Sequence, residues 1–149
     1  MTCEATINWA NTVTWIVVLV GWIAVHCATL SRERRKEKRD AVSCIIEEIR
    51  AVEVLAVTFH TSDKFDSLSS DLLIWRTNRV NRALQRPPLQ TLDIPLSLMV
   101  RFRKRFTLLN TDTSTFVRQT YHSEIIKDIR SVTDEIIESI EAARDKYFA

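Results

Sequence analysis

From Ala5 to Ser31, 27 residues pass without one side chain of fixed charge, and this run constrains the chain more than any other feature. Its centre, the 18 residues from Val13 to Leu30, reads VTWIVVLVGWIAVHCATL. As a helix that segment would be about 27 Å long at 1.5 Å per residue, close to the hydrocarbon thickness of a bilayer. Nine of its residues are Leu, Ile or Val, and their favourable insertion outweighs the polar cost of His26 and the threonines. A buried helix of a water-soluble core can be as apolar, but it is rarely apolar on every face and then followed at once by RERRKEKR. A single transmembrane helix over residues 13–30 is therefore expected.

Its direction follows from the flanking charges. No Lys or Arg precedes the span, whereas six follow within nine residues: Arg32, Arg34, Arg35, Lys36, Lys38 and Arg39. Cationic flanks stay on the side of synthesis, so residues 1–12 are expected outside and the C-terminus in the cytoplasm, with the chain in the cell membrane. A cleaved signal peptide would carry its charges before the apolar run, the reverse of this order. In a juxtamembrane segment over residues 31–40, the same six side chains would meet anionic headgroups, each attracted by about 1 kcal/mol.

Trp9 fits an outer interfacial belt, while Trp15 and Trp22 serve as well as lipid-facing bulk. His26 is the one ionisable side chain inside the span and hence the candidate intramembrane functional residue. Its plainer role is a neutral imidazole reaching headgroups from one turn inside, since no Asp, Glu or second His stands beside it. Gly21, Ala24 and Ala28 would permit close helix approach, a pattern common by chance.

Gly21 is the only glycine, and no proline occurs before Pro87. Hairpin turns need glycine or Asn-Gly and Asp-Gly pairs, so the composition argues for long helices. Nothing stops the membrane helix from continuing through the charged cluster into residues 41–149, which are expected to form one cytoplasmic helical domain. There Val42, Ile45, Ile49, Val52, Ala56 and Phe59 recur at alternating spacings of three and four, the stripe of a packed helix. Thr61, Ser62 and Asp63 offer turn and capping chemistry where it fades.

A second helix is expected over about residues 69–85, with Leu72, Leu73, Val80, Ala83 and Leu84 inward and Arg76, Arg79, Arg82 and Arg86 along an adjoining face. Pro87 and Pro88 end it. Asp93 before Pro95 marks the start of a third helix, with Leu98, Phe102, Phe106 and Leu109 inward and Arg101, Lys104 and Arg105 outward. Tyr121, Ile125, Ile129, Val132, Ile136, Ile140, Ala143 and Tyr147 follow an eleven-residue repeat, predicting a last helix with a straight apolar stripe and caps among Thr111–Thr115. The fold class is accordingly all-α, a transmembrane helix leading into an antiparallel bundle of about four helices.

Charge is distributed in blocks. Residues 72–109 carry eight basic side chains against Asp93 alone, while residues 40–71 hold seven acidic against two basic and residues 110–149 eight acidic against five basic. The basic middle helices are thus expected to lie against the acidic first and last ones, an arrangement that orders the helices more than it stabilises them. Arg76, Arg79, Arg82, Arg86, Arg101, Lys104 and Arg105 are the candidate partner surface, with a solvated face as the plainer reading. No aromatic stacking platform accompanies them, so nucleic acid is not an expected partner.

Chemistry-bearing constellations are absent from the sequence. His60, Ser62 and Asp63, and likewise His122, Ser123 and Glu124, are too close along the chain to point at one another as a triad. The carboxylates Glu47, Glu48, Asp134, Glu135 and Glu138 lack the Glu-x-x-His partners of bundle metal sites. Phosphate-cradling and zinc-binding motifs are missing as well. Cys3, Cys27 and Cys44 are odd in number and widely spaced, so they frame neither disulfides nor a metal clip. No enzymatic activity, cofactor or small-molecule substrate is expected. The leading expectation is a membrane-anchored interaction protein whose bundle binds a protein partner or itself. The alternative is a membrane-perturbing effector acting through association of its transmembrane helices.

Overall fold

A computed structural model describes residues 9–107, 113–114 and 116–148, with side chains described from Val13 onwards within those ranges and up to Tyr147. Four α-helices account for most of them: α1 (Trp9–Thr61), α2 (Ser67–Leu84), α3 (Leu96–Thr107) and α4 (Glu124–Phe148), with a 3-10 turn over Leu89–Leu92. No strand occurs among the described residues. The chain divides into two units, residues 1–37 and residues 38–149. Residues 1–8, the expected cap positions Thr111 and Thr115, Leu109, Cys3 and the side chain of Trp9 lie outside the described residues.

In the first unit every described side chain from Val13 to Glu37 is exposed. The apolar stretch 13–30 is long and apolar enough to cross a membrane, and none of it is buried against protein. The helix persists across it because a run of apolar residues with one glycine and no proline leaves the backbone no local reason to break. Gly21 is an open position, with no atom within 4 Å of where a Cβ would stand.

The second unit is built around one apolar cluster. Val42, Ile45, Ile49, Val52, Ala56 and Phe59 of α1 are all at most 5% exposed, so the spacing of three and four does mark the buried stripe. They join Leu73, Val80 and Leu84 of α2, Leu89 and Leu92 of the 3-10 turn, Phe102 and Phe106 of α3, and Ile126, Ile129, Val132, Ile136 and Ile140 of α4. Helix α3 packs on both α2 and α4, and the 3-10 turn touches the same two helices.

α1 ends at Thr61, where the Ser62 amide donates to the Phe59 carbonyl at 3.3 Å. The cap of α2 is Asp66, not Thr61, Ser62 or Asp63: in extended geometry its carboxylate accepts from the amides of Leu68 and Ser69, both at 3.2 Å. Beneath this corner the rings of Phe59, Phe65 and Phe116 meet edge to face with centroids 5.4 to 5.8 Å apart.

Three sequence expectations need correction. Leu72 points outward at 42% exposure, while Ser70 and Thr77 share the inner face of α2 with Leu73, Val80 and Leu84. Thr77 tolerates that place because its hydroxyl donates to the Leu73 carbonyl at 2.8 Å, so no polar group is left wanting. Asp93 does not cap α3. It adopts a left-handed conformation (φ 51°, ψ 50°) that closes the 3-10 turn after the cis Pro87–Pro88 bond, a backbone state Asp tolerates better than most residues. Tyr121 is 60% exposed in a turn before α4. The helix starts at Glu124 behind Ser123, whose carbonyl accepts from the Lys127 amide at 3.0 Å and whose hydroxyl lies 3.4 Å from the Ile126 amide. Ile126, absent from the expected stripe, is fully buried, whereas Ile125 is only half-buried.

Candidate functional site

Within the first unit, the His26 ring of the apolar stretch stacks on Trp22 at 5.3 Å with the planes 2° apart. The two are one turn apart, which brings such side chains over each other. Thr29 satisfies its hydroxyl on the Val25 carbonyl at 2.9 Å. Arg32, Arg34, Arg35, Lys36 and Arg39 are exposed, as a headgroup-facing cluster requires. Lys38 is different: its ammonium donates to Thr91 Oγ1 at 2.7 Å and lies 3.4 Å from the centroid of the Tyr147 ring. Chemically it is a clamp between α1, the 3-10 turn and α4.

The arginines singled out by sequence fall into two groups. On α3, Arg101 pairs with Glu135 at 2.8 Å and Arg105 with Asp128 at 3.1 Å, both across to α4. The hydrogen bond from Arg101 holds the Glu135 carboxyl below the usual carboxylate range. Lys104 is exposed beside them. On α2, by contrast, none of Arg76, Arg79, Arg82 and Arg86 forms an ion pair among the described residues. Arg79 lies over the Trp75 ring at 5.6 Å, and Arg82 Nε donates to the Asn78 carbonyl at 3.3 Å.

Arg79, Arg82 and Arg86 share a groove of about 500 Å³ with Ala41, Cys44 and Glu48 of α1 and with Pro87 and Pro88. The Glu48 Oε1 atom and the Arg76 Nε atom are buried without a hydrogen bond. The α2 arginines thus lie beside the α1 carboxylate Glu48, which enters the groove without bonding any of them. The same helix exposes Leu68 (78%), Leu72 (42%) and Trp75 (51%). Steps of four, three and four lead from Leu68 through Leu72 and Trp75 to Arg79, so the outward face of α2 is apolar in its first half and cationic in its second. Sequence reasoning missed the apolar half because it assigned Leu72 to the core. The signal was there in the alternation of Ser70, Leu73, Thr77, Val80 and Leu84, a second stripe containing hydroxyls.

Several other polar and titratable groups serve the fold. Ser62 donates to the carbonyls of Phe59 and Lys64, both at 2.8 Å, and Asp63 pairs with Arg118. His60 is fully buried, and burial pushes its pKa from 6.5 down to about 4. Its carbonyl accepts from the Gln119 amide at 2.8 Å. Glu53 sits above the usual carboxylate range, first through burial and then through the charge of Asp134. Among the described residues, no group of three or more His, Cys, Asp or Glu is placed to hold a metal ion.

Compared with known proteins, the chain matches no family model, no curated protein sequence and no solved structure.

Proposed function

We propose that the chain is a single-pass, membrane-anchored interaction protein. In this reading, residues 13–30 span the cell membrane with the N-terminus outside. Arg32, Arg34, Arg35, Lys36 and Arg39 rest on anionic headgroups, and the cytoplasmic unit is an antiparallel helical bundle that binds a protein partner or further copies of itself. The observation that carries it is the outward face of α2, where Leu68, Leu72 and Trp75 run into arginines that no carboxylate of the described residues engages. Exposed tryptophan and arginine side by side are the residue types on which protein interfaces concentrate their binding energy. Anchoring such a face beside a bilayer raises its effective concentration for anything else held there.

The test is crosslinking in intact membranes followed by identification of what is joined to the chain. Adducts through residues 68–86 are the expected result. Recovery of the full chain in the soluble fraction, or accessibility of a tag on Ala149 from outside unbroken cells, overturns the reading. Depolarisation of cells on overproduction, undiminished by Trp75→Ala together with Arg79→Ala, replaces it with a membrane-perturbing effector.

A further inference from the structure

The surface left unneutralised on α2 has a counterpart on α4. Glu138, Glu141 and Asp145 are exposed and separated by three and four residues, the same steps that separate Arg79, Arg82 and Arg86. Both sets therefore form a single stripe along one helix face. Glu138 and Glu141 have no cationic partner among the described residues, and Asp145 has only its neighbour Arg144, at 2.9 Å. The inner carboxylates of the same helix, Glu135 and Asp128, are taken by α3, so the outer stripe is what remains.

Both stripes also run beside the same stretch of α1. Arg79, Arg82 and Arg86 share their groove with Ala41, Cys44 and Glu48. On α4, the Tyr147 ring lies under Lys38, and Asp134 is near enough to Glu53 to raise its pKa. Glu48 and Glu53 are five residues apart, which turns them about 140° around α1 at 100° per residue. The basic stripe thus flanks α1 on one side and the acidic stripe on another, at matching positions along it, and they cannot neutralise each other within one chain.

From this we infer that the cytoplasmic unit self-associates head to tail, the Arg79, Arg82 and Arg86 stripe of one copy docking on the Glu138, Glu141 and Asp145 stripe of the next. This deepens the proposed function and rests on it, because it takes the anchored chain as an interaction protein and names the partner as a second copy. Copies anchored in one bilayer with one orientation are related by rotation about the membrane normal, and such a rotation leaves every residue at its own height. Stripes at matching positions along α1 meet in register when two copies pack with these segments parallel. α2 and α4 both follow a reversal from the preceding helix in an antiparallel bundle, so they run parallel, and the equal spacings fall into register. Because the two surfaces differ, the contact is heterologous and propagates into a closed ring or an open row. Individual exposed ion pairs are weak and screened by salt, so several in register, with the copies confined to a membrane, are what the association depends on.

The test uses the full chain in mild detergent and in vesicles, with size read by light scattering and proximity by energy transfer between labelled copies. The wild type is expected to associate, and to do so about tenfold less tightly when salt rises from about 50 to about 500 mM. Arg79→Glu, Arg82→Glu and Arg86→Glu together should leave the chain monomeric, as should Glu138→Lys, Glu141→Lys and Asp145→Lys together. The two variants mixed should co-assemble, because each then presents the surface the other lost, and this rescue also shows that both are folded. Association of either variant alone at the wild-type level, or no co-assembly on mixing while both retain the wild-type circular dichroism and thermal midpoint, overturns the inference. A monomeric wild type that crosslinks through α2 to a different protein overturns it too but leaves the interaction reading standing, whereas a chain found in the soluble fraction overturns that reading itself.

Discussion

Acid should loosen the folded unit through His60, and the size of the effect follows from its burial. The imidazole is fully buried beside Phe59, with ring centroids 5.1 Å apart, and its pKa falls from 6.5 to about 4 because the charged form loses its hydration there. Above pH 6.5 the side chain is neutral in both folded and unfolded chains, and its full contribution to stability is present. Between pH 6.5 and about 4 the unfolded chain takes up a proton that the folded one refuses, so stability falls as pH falls. Below about 4 both are protonated and the loss is complete. The gap between those two pKa values corresponds to about 3 kcal/mol, most of which is already lost at pH 4.5. That is a large share of the total stability of a small domain, which is about 5–15 kcal/mol. Urea unfolding of the full chain in detergent, followed by circular dichroism at pH 7 and pH 4.5, reads this directly when the wild type is compared with His60→Gln. Carboxylates titrate in both proteins and cancel in the comparison, so the variant should lose about 2–3 kcal/mol less on acidification. An equal loss in the two proteins would refute the argument that the imidazole is held neutral by burial.

Other perturbations follow from the packing. Leu73→Ala should cost about 2–5 kcal/mol and Leu72→Ala less than about 0.5 kcal/mol, although the two are neighbours in sequence, because only Leu73 is buried; urea midpoints of the two variants check this. Ile136→Ala removes a fully buried side chain of α4 and should cost about 2–5 kcal/mol in the same assay. Asp66→Ala leaves the amides of Leu68 and Ser69 without their acceptor and should lower the thermal midpoint by about 5 °C, read by circular dichroism.

The buried stripe of α1 was legible in the sequence because the six residues from Val42 to Phe59 that carry it are all apolar, so periodicity and burial coincide. On α2 they do not. Thr77 and Ser70 occupy inward positions, while Leu72, which a reading by hydrophobicity turns inward, is exposed, and the reason is local. A threonine hydroxyl can donate to the carbonyl one turn back, as Thr77 does to Leu73, Thr107 to Arg103 and Thr133 to Ile129 at 2.8 to 2.9 Å. Once that bond is made, the side chain presents a methyl group to the core. Hydropathy averages over this choice, and only neighbours distant in sequence decide it. The caps were missed for a related reason: Asp66 and Ser123 stand among several Ser, Thr and Asp residues with equal capping chemistry, and the helix starts are selected by where Leu73 and Ile126 must be buried.

Charge blocks, unlike the helices, were legible only as totals. Eight basic residues between Leu72 and Leu109 promise neutralisation by the acidic segments on either side, but a salt bridge depends on register between helices, which a count does not contain. α3 achieves register with α4, and Arg101 and Arg105 are engaged there. α2 does not achieve it with α1, where Glu48 lines the groove of Arg79, Arg82 and Arg86 without pairing to any of them. Paired exposed charges add little to stability, so nothing in the folding of one chain requires the α2 arginines to be paired. They remain as a field at the surface, with the carboxylates left over on α4 as its opposite. An unneutralised cationic stripe on one flank of α1 and an anionic one on another give the unit a direction around its own axis. That asymmetry is what the proposed association of neighbouring copies uses.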